Sequence, residues 1–202
     1  MQDQRVGEKI RPAAKGHYEF HPLQMVVIAF MIASFAVFLY ILIAYVATKP
    51  TAPIGLSKYF VVSSLLLLLS GQGLKSLMYY FEKEQTRRLI TTLSVVIASG
   101  LGFLTFQYLG WKDIAVEMML SPAGALSFLY ILVIAHGGMV ACALVVTLVS
   151  TTSWSIKLQD PINRLVFYTN KYEKLKLSLF GQVWFFLQIT WMLIYLTFLL
   201  TN

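Results

Sequence analysis

A chain of 202 residues that is 58% hydrophobic and only 12% charged is too apolar for a soluble domain, in which about a quarter of residues are charged. The net charge of +7 does not indicate nucleic acid, because the basic residues lie in short connections between apolar runs and form no exposed basic face. A single cysteine, Cys142, excludes an internal disulfide and a cysteine metal cluster. The apolar composition therefore indicates an integral membrane protein.

Residues 1–22 are polar and precede every apolar run, so we expect a cytoplasmic tail without a cleavable signal sequence. Residues 23–202 are then one domain, because their apolar runs each supply the roughly 20 residues that a membrane-crossing helix needs. The apolar residues run all the way round each segment instead of alternating, which predicts an all-α bundle of five transmembrane helices. The predicted spans are Leu23–Thr48, Ser57–Phe81, Arg88–Trp111, Gly124–Thr152 and Leu179–Leu200.

Lysine and arginine are concentrated on one side of this predicted bundle, in the tail, the hairpin after the second span and the last loop. This bias places the N-terminus in the cytoplasm and the C-terminus outside. We expect Lys75, near the cytoplasmic end of the second span, to extend its amine to the lipid headgroups. The last loop, Ser153–Ser178, is the longest and most charged, and is either a contact surface for a partner or anionic headgroups or a solvated loop.

The membrane interior offers little for redox or transport chemistry. All nine Asp and Glu residues lie in the tail, the loops or at helix ends, so the interior lacks an acidic proton carrier of the kind transporters and pumps use. His136 is the one histidine at membrane depth, which excludes an internal heme with two histidine ligands. His17 and His21 could share a metal only with a third ligand, and an interfacial role is favoured for them. We therefore predict no catalytic, cofactor or metal site in this chain.

Polar groups at depth seek partners on neighbouring helices, and small residues let helices approach closely. Serine, glutamine and histidine side chains therefore indicate a packed module. Among them are Ser34, Ser63, Ser64, Ser70, Gln72, Gln107, His136 and Gln188. Gly137 and Gly138, each four residues before another small residue, predict close contact of the fourth span with a neighbour.

Three stretches in the last three spans resemble subunit III of the heme-copper terminal oxidases, in its bacterial five-helix form. LGFLTFQYLGW carries Gln107 where the family has a glutamine or glutamate near an aromatic residue. SFLYILVIAHGGMV follows the family's G-x-H-G-x-H-V signature, with His136 as the first histidine. WFFLQITW follows W-H-F-x-D-x-x-W and keeps both tryptophans, Trp184 and Trp191, which we expect to pack between helices.

The departures from the family pattern remove charge from the interior. Met139 replaces the second histidine of the signature, Phe185 the histidine of the closing motif, Gln188 its aspartate, and Ser34 the usual carboxylate of the first span. Amides can keep the hydrogen bonds of carboxylates without a buried charge. By resemblance, Gln107, His136 and Gln188 should point into the bundle and lie near one another, with Ser34 in the same buried polar network.

The resemblance implies a non-catalytic subunit of a proton-pumping cytochrome c oxidase in the aerobic respiratory chain of a bacterial cytoplasmic membrane. Such a subunit binds no cofactor itself and flanks the catalytic subunit I, which holds the hemes and copper. It also binds phospholipids in a cleft between its first helices and the rest, and a larger respiratory supercomplex is a further candidate partner. The alternatives are a relative that accompanies nitric oxide reductase, subunit III of a quinol oxidase, and, less favoured, a small secondary transporter.

Overall fold

The computed structural model describes residues 21–48, 57–120 and 124–201, which lie in helices and the short turns between them. The tail before residue 21, including His17, lies outside the described residues. The helices are α1 (Pro22–Thr48), α2 (Lys58–Leu74), α3 (Leu77–Glu82), α4 (Thr86–Leu120), α5 (Gly124–Lys157), α6 (Pro161–Thr169) and α7 (Lys171–Thr201).

Five helical segments are long and apolar enough to cross a membrane, which confirms the predicted number of spans and the all-α class for the described residues. The second of them combines α2 and α3, and the others correspond to α1, α4, α5 and α7. Which side of the membrane holds each terminus stays a prediction.

The predicted long last loop is wrong, because helix continues through most of it. The fourth span extends past its predicted end at Thr152 to Lys157, and the fifth begins at Lys171 instead of Leu179. The indole of Trp154 donates a hydrogen bond of 3.0 Å to the Glu173 carboxylate and so joins the two helix ends. Residues 158–160 and Asn170 are the actual connections, on either side of the short helix α6.

The core runs lengthwise between α2, α4, α5 and α7. Helix α4 packs along α2 on one side and α5 on the other, and α7 contacts α2 and α5. Helix α1 is peripheral and packs on α5 and α7, with only Phe38, Leu42 and Tyr45 of its residues buried. The largest buried side chains of this mid-membrane core include Leu67, Phe103, Leu132, Trp184, Leu187 and Trp191.

A second apolar cluster, which we call the end cluster, lies where α3, α6 and the ends of α4, α5 and α7 meet. Its buried members are Leu77, Phe81, Leu89, Leu93, Trp154, Leu158, Phe167 and Leu177. The Tyr168 hydroxyl lies 2.9 Å from that of Thr86, and burial raises the pKa of Tyr168 above its ordinary value. This contact between the two hydroxyls attaches α6 to the start of α4.

The second span is interrupted between α2 and α3. The amide of Ser76 bonds the carbonyl of Gly73, three residues back, where the regular α-helical pattern would reach four. Lys75 at this break is exposed, and its amine lies 3.3 Å from the amide oxygen of Gln72. The charged group is thus outside the bundle core, at the break between α2 and α3.

Candidate functional site: a buried polar seam and an apolar cleft

Three buried serines on α2, which we call the serine row, receive hydrogen bonds from facing helices. Trp184 and Trp191 of α7 donate their indole N–H groups to Ser70 and Ser64, each at 2.8 Å. Gln107 of α4 donates its amide to Ser63 at 3.2 Å. All three serine hydroxyls give their own proton to a carbonyl in the preceding turn of α2, at 2.6 to 3.0 Å. Each hydroxyl is therefore both donor and acceptor, which satisfies it inside the bundle.

The same side of α2 also accommodates Gln188 of α7. Its amide donates to the backbone carbonyl of Leu67 at 2.5 Å. Gly71 makes this approach possible, because a Cβ atom at that position would collide with the Gln188 amide group. Positions 63, 67, 70 and 71 recur every three or four residues, so they share one face of the helix. We call this face of α2 the seam, because its hydrogen bonds hold α7 and α4 against α2.

His136 joins α5 to α7. Its Nε2 lies 3.0 Å from the carbonyl oxygen of Leu187, and since a carbonyl can only accept, Nε2 carries the proton. The ring is fully buried, and its centroid lies 5.3 Å from that of Trp191, 5.7 Å from Phe103 and 6.3 Å from Phe38. Within the described part of the chain, Nδ1 has no hydrogen-bond partner. The geometry is that of a structural hydrogen bond in an aromatic cage.

The four predicted network residues do not form one connected set. Gln107 and His136 are buried and Gln188 is partly buried, and all three bond inward, but each bonds a different partner. The link between Gln107 and α7 passes through the serine row. Ser34 is half-buried in α1, and its hydroxyl forms no hydrogen bond with a described residue, so it stays outside the network.

Gly137 and Gly138 do not mediate close helix contact within this chain, contrary to the sequence-based prediction. A Cβ atom at either position would meet no atom within 4 Å. The close approaches occur at Gly71, at Gly100 beside Leu144, and at Gly110 beside the Phe60 ring. The signal was misleading because small residues suit an open cleft as well as a tight contact.

Gly138 instead lines an apolar cleft of about 750 Å³ between α1 on one side and α5 and α7 on the other. The lining side chains are aliphatic, aromatic or sulfur-containing along most of its length. They include Val27, Phe30 and Met31 of α1, Met139, Cys142 and Val146 of α5, and Val183 and Phe186 of α7. Lys176 and Trp154 line the cleft near the end cluster, so it carries a cation at that end.

Among the described residues, no group of three His, Cys, Asp or Glu side chains is placed to hold a metal ion. The fold and its apolar surface define the class as a multi-pass helical membrane protein. No protein-family model matches the sequence, and no curated protein matches it either.

Replacing His136 by leucine should weaken the bundle modestly. The substitution removes the bond to the Leu187 carbonyl, and interhelical hydrogen bonds in membranes contribute about 0.6 kcal/mol on average and up to about 1.7 kcal/mol. We expect a loss in that range, measured as the free energy of unfolding by SDS in mixed micelles. Ile134→Leu, at an exposed position two residues earlier in α5, is the control and should change nothing. A His136→Leu chain as stable as the parent would contradict this role.

Proposed function

We propose that this chain is a non-catalytic subunit, of the five-helix subunit III type, of a proton-pumping heme-copper terminal oxidase in a bacterial cytoplasmic membrane. It flanks and stabilises the catalytic subunit, which carries the hemes and copper, and it contacts other oxidase subunits. It has no active site of its own and holds phospholipid in its cleft.

The observation that carries this proposal is the convergence of the three family-like stretches. His136, from the AHGGMV stretch, bonds the Leu187 carbonyl and packs on Trp191, both within WFFLQITW. Gln107, from LGFLTFQYLGW, donates to Ser63, and the adjacent Ser64 accepts a hydrogen bond from the indole of Trp191. Stretches that resemble one family thus meet on three different helices, which supports a common structural purpose for them.

The chemistry of the seam supports an accessory role and not a proton path. The side chains that bond along the seam are amides, hydroxyls and indoles, the neighbouring contact between α5 and α7 adds the imidazole of His136, and no Asp or Glu lies among them. Neutral groups of this kind bind helices together without the cost of a buried charge. In an oxidase complex the chain would then pack beside the proton-pumping subunit as a stable helical bundle.

The cleft supports the lipid-binding part of the proposal. Its walls match the hydrocarbon chains of a phospholipid, and Lys176 stands at one end, where a phosphate headgroup needs a cation. The Lys176 amine already lies 2.7 Å from the Glu173 carboxylate and 4.8 Å from the centre of the Tyr172 ring, which orients it. Trp154 beside it is typical of the headgroup level of a membrane.

Affinity purification of the tagged chain from its native membrane tests the proposed function. We expect heme-bearing polypeptides and oxygen-reducing activity to copurify with it. A preparation without heme polypeptides would refute the proposal. Heme polypeptides that reduce nitric oxide and not oxygen would assign the chain to the nitric oxide reductase relatives, and turnover with quinol but not cytochrome c would assign it to a quinol oxidase.

Filling the cleft should displace lipid. Gly138→Trp places an indole where a Cβ atom meets no neighbour, so the fold can accept it while the cleft becomes shorter. We expect less phospholipid phosphorus per chain in the detergent-purified protein than in the parent. Phe185→Trp, on an exposed part of α7 outside the cleft, is the matched control and should retain the parental amount. Equal phospholipid content in both variants would contradict a lipid site in the cleft.

A further inference from the structure

Helix α6 is an amphipathic segment placed between two membrane spans. Asp160 caps its start by accepting the amide of Ile162 at 3.1 Å, and Pro161 occupies the first turn, where its missing N–H costs nothing. Three residues connect α6 to α5 and a single residue connects it to α7. The helix therefore cannot move far from the membrane surface.

One side of α6 is anchored to the bundle through its last turn. Phe167 is buried, with its ring centroid 5.4 Å from that of Phe81 and 5.6 Å from that of Trp154. The next residue, Tyr168, reaches Thr86. By contrast, residues 161–166 are all exposed, so the described part of the chain leaves the first half of the helix uncovered.

The opposite side of α6 carries an aliphatic ridge that none of the described residues covers. Ile162, Leu165 and Val166 are 73%, 62% and 56% exposed. At about 100° per residue their directions fall within roughly a third of the helix circumference, away from Phe167. Single exposed apolar side chains are normal on a protein surface, but three adjacent branched ones on a nine-residue helix form a patch that is typical of an interaction site.

Basic residues without acidic partners lie on α6 and at the adjoining ends of α5 and α7. Lys174 and Lys176 are paired with Glu82 and Glu173. The remaining cations between residues 153 and 178 are Lys157, Arg164 and Lys171, all exposed, and none forms an ion pair within the described part of the chain. An aliphatic ridge beside free cations complements a lipid surface with anionic headgroups, which offers hydrocarbon and negative charge together.

We infer that α6 is an interfacial membrane helix. Ile162, Leu165 and Val166 insert at the boundary between headgroups and acyl chains, and Lys157, Arg164 and Lys171 bind the phosphates of anionic lipids. This attachment is separate from the apolar cleft and does not depend on the proposed oxidase function. It fixes the ends of α5 and α7 relative to the bilayer surface, which two spans joined by an unanchored loop would not achieve.

Spin labelling of the full-length chain tests the ridge. In a Cys142→Ser background, Leu165→Cys labels the ridge and Asn163→Cys labels a position about 160° round the helix. The chains are reconstituted into phosphatidylcholine vesicles containing phosphatidylglycerol. Collisions with oxygen, which concentrates in hydrocarbon, are compared with collisions with a water-soluble nickel chelate. We expect an oxygen-to-nickel ratio several-fold higher at Leu165 than at Asn163, and Ile162→Cys should repeat the Leu165 result.

Equal ratios at Leu165 and Asn163 would overturn the inference, because the ridge would then face water. A Leu165 label that is shielded from both reagents in the native complex would also overturn it, in favour of a protein interface.

The proposed binding of anionic lipid by the three cations has its own control. Raising the phosphatidylglycerol content should raise the ratio at Leu165 in the parent background but not after Lys157, Arg164 and Lys171 are all changed to glutamine. Parallel responses in the two backgrounds would exclude binding of anionic lipid by these cations.

Discussion

Trp191→Ala should be among the most damaging single substitutions in this chain. The side chain is almost fully buried, donates to Ser64, and packs its indole against the rings of His136, Phe103 and Phe60. Truncating a buried tryptophan costs about 3 to 5 kcal/mol in water-soluble cores. Lipid supplies no hydrophobic transfer term between helices, so we expect the lower end, about 3 kcal/mol. Equilibrium unfolding in SDS mixed micelles measures it.

A control variant and a double-mutant cycle separate packing from hydrogen bonding at Trp191. Phe185→Ala removes an aromatic ring that is 60% exposed on the same helix and should have little effect, so a loss equal to that of Trp191→Ala would contradict the argument. A double-mutant cycle of Trp191→Phe with Ser64→Ala isolates the indole bond. We expect a coupling of about 0.6 to 1.7 kcal/mol, and independent effects would show that the bond contributes nothing.

Adding one methyl group at two different glycines should change stability in opposite directions. At Gly110 a Cβ atom would lie 2.8 Å from two atoms of the buried Phe60 ring, which is rigid and cannot fold away. Overpacking costs about 1 to 3 kcal/mol and outweighs the gain of up to about 1 kcal/mol from replacing glycine within a helix. At Gly137 a Cβ atom would meet nothing within 4 Å, so no overpacking offsets the gain in helix propensity. We therefore expect Gly137→Ala to raise the free energy of unfolding by up to about 1 kcal/mol.

The same unfolding measurement compares Gly110→Ala with Gly137→Ala. Both positions lie inside long helices, so the difference in their local packing is what the comparison reports. A Gly110→Ala chain more stable than the parent would mean that α2 and α4 can separate without cost. A destabilised Gly137→Ala chain would contradict the open space beside that position.

The number of spans could be predicted from the sequence because each is a long run that is apolar on every side. The ends of the last two spans could not, since hydropathy marks where lipid contact stops and not where helix stops. Trp154 and Glu173 hold α5 and α7 helical beyond that boundary through a contact between positions distant in the sequence. Such a contact depends on how two helices are placed, which a single apolar pattern does not encode.

For the buried polar side chains, the residue types predicted that they would bond inward but did not predict which groups they would bond. Gln107, His136 and Gln188 were expected to bond inward because polar groups in hydrocarbon need partners, and they do so. Their partners were not predictable, because the serine row and the Leu67 and Leu187 carbonyls become neighbours only through the register of α2 against α4 and α7. Gly71 leaves room for the Gln188 amide, and sequence spacing could not distinguish that role from the one expected of Gly137.

The end cluster and the mid-membrane core should respond differently to temperature. Glu82, Glu173 and Lys174 border the end cluster, and their charges place it within reach of water. Its cohesion therefore includes the entropy of released water, a contribution that fades on cooling, whereas the core between the spans depends on close packing and hydrogen bonds. Cold and urea should thus loosen α6 and the α3 end of the second span while the rest of the bundle stays associated, so that this protein unfolds from one end.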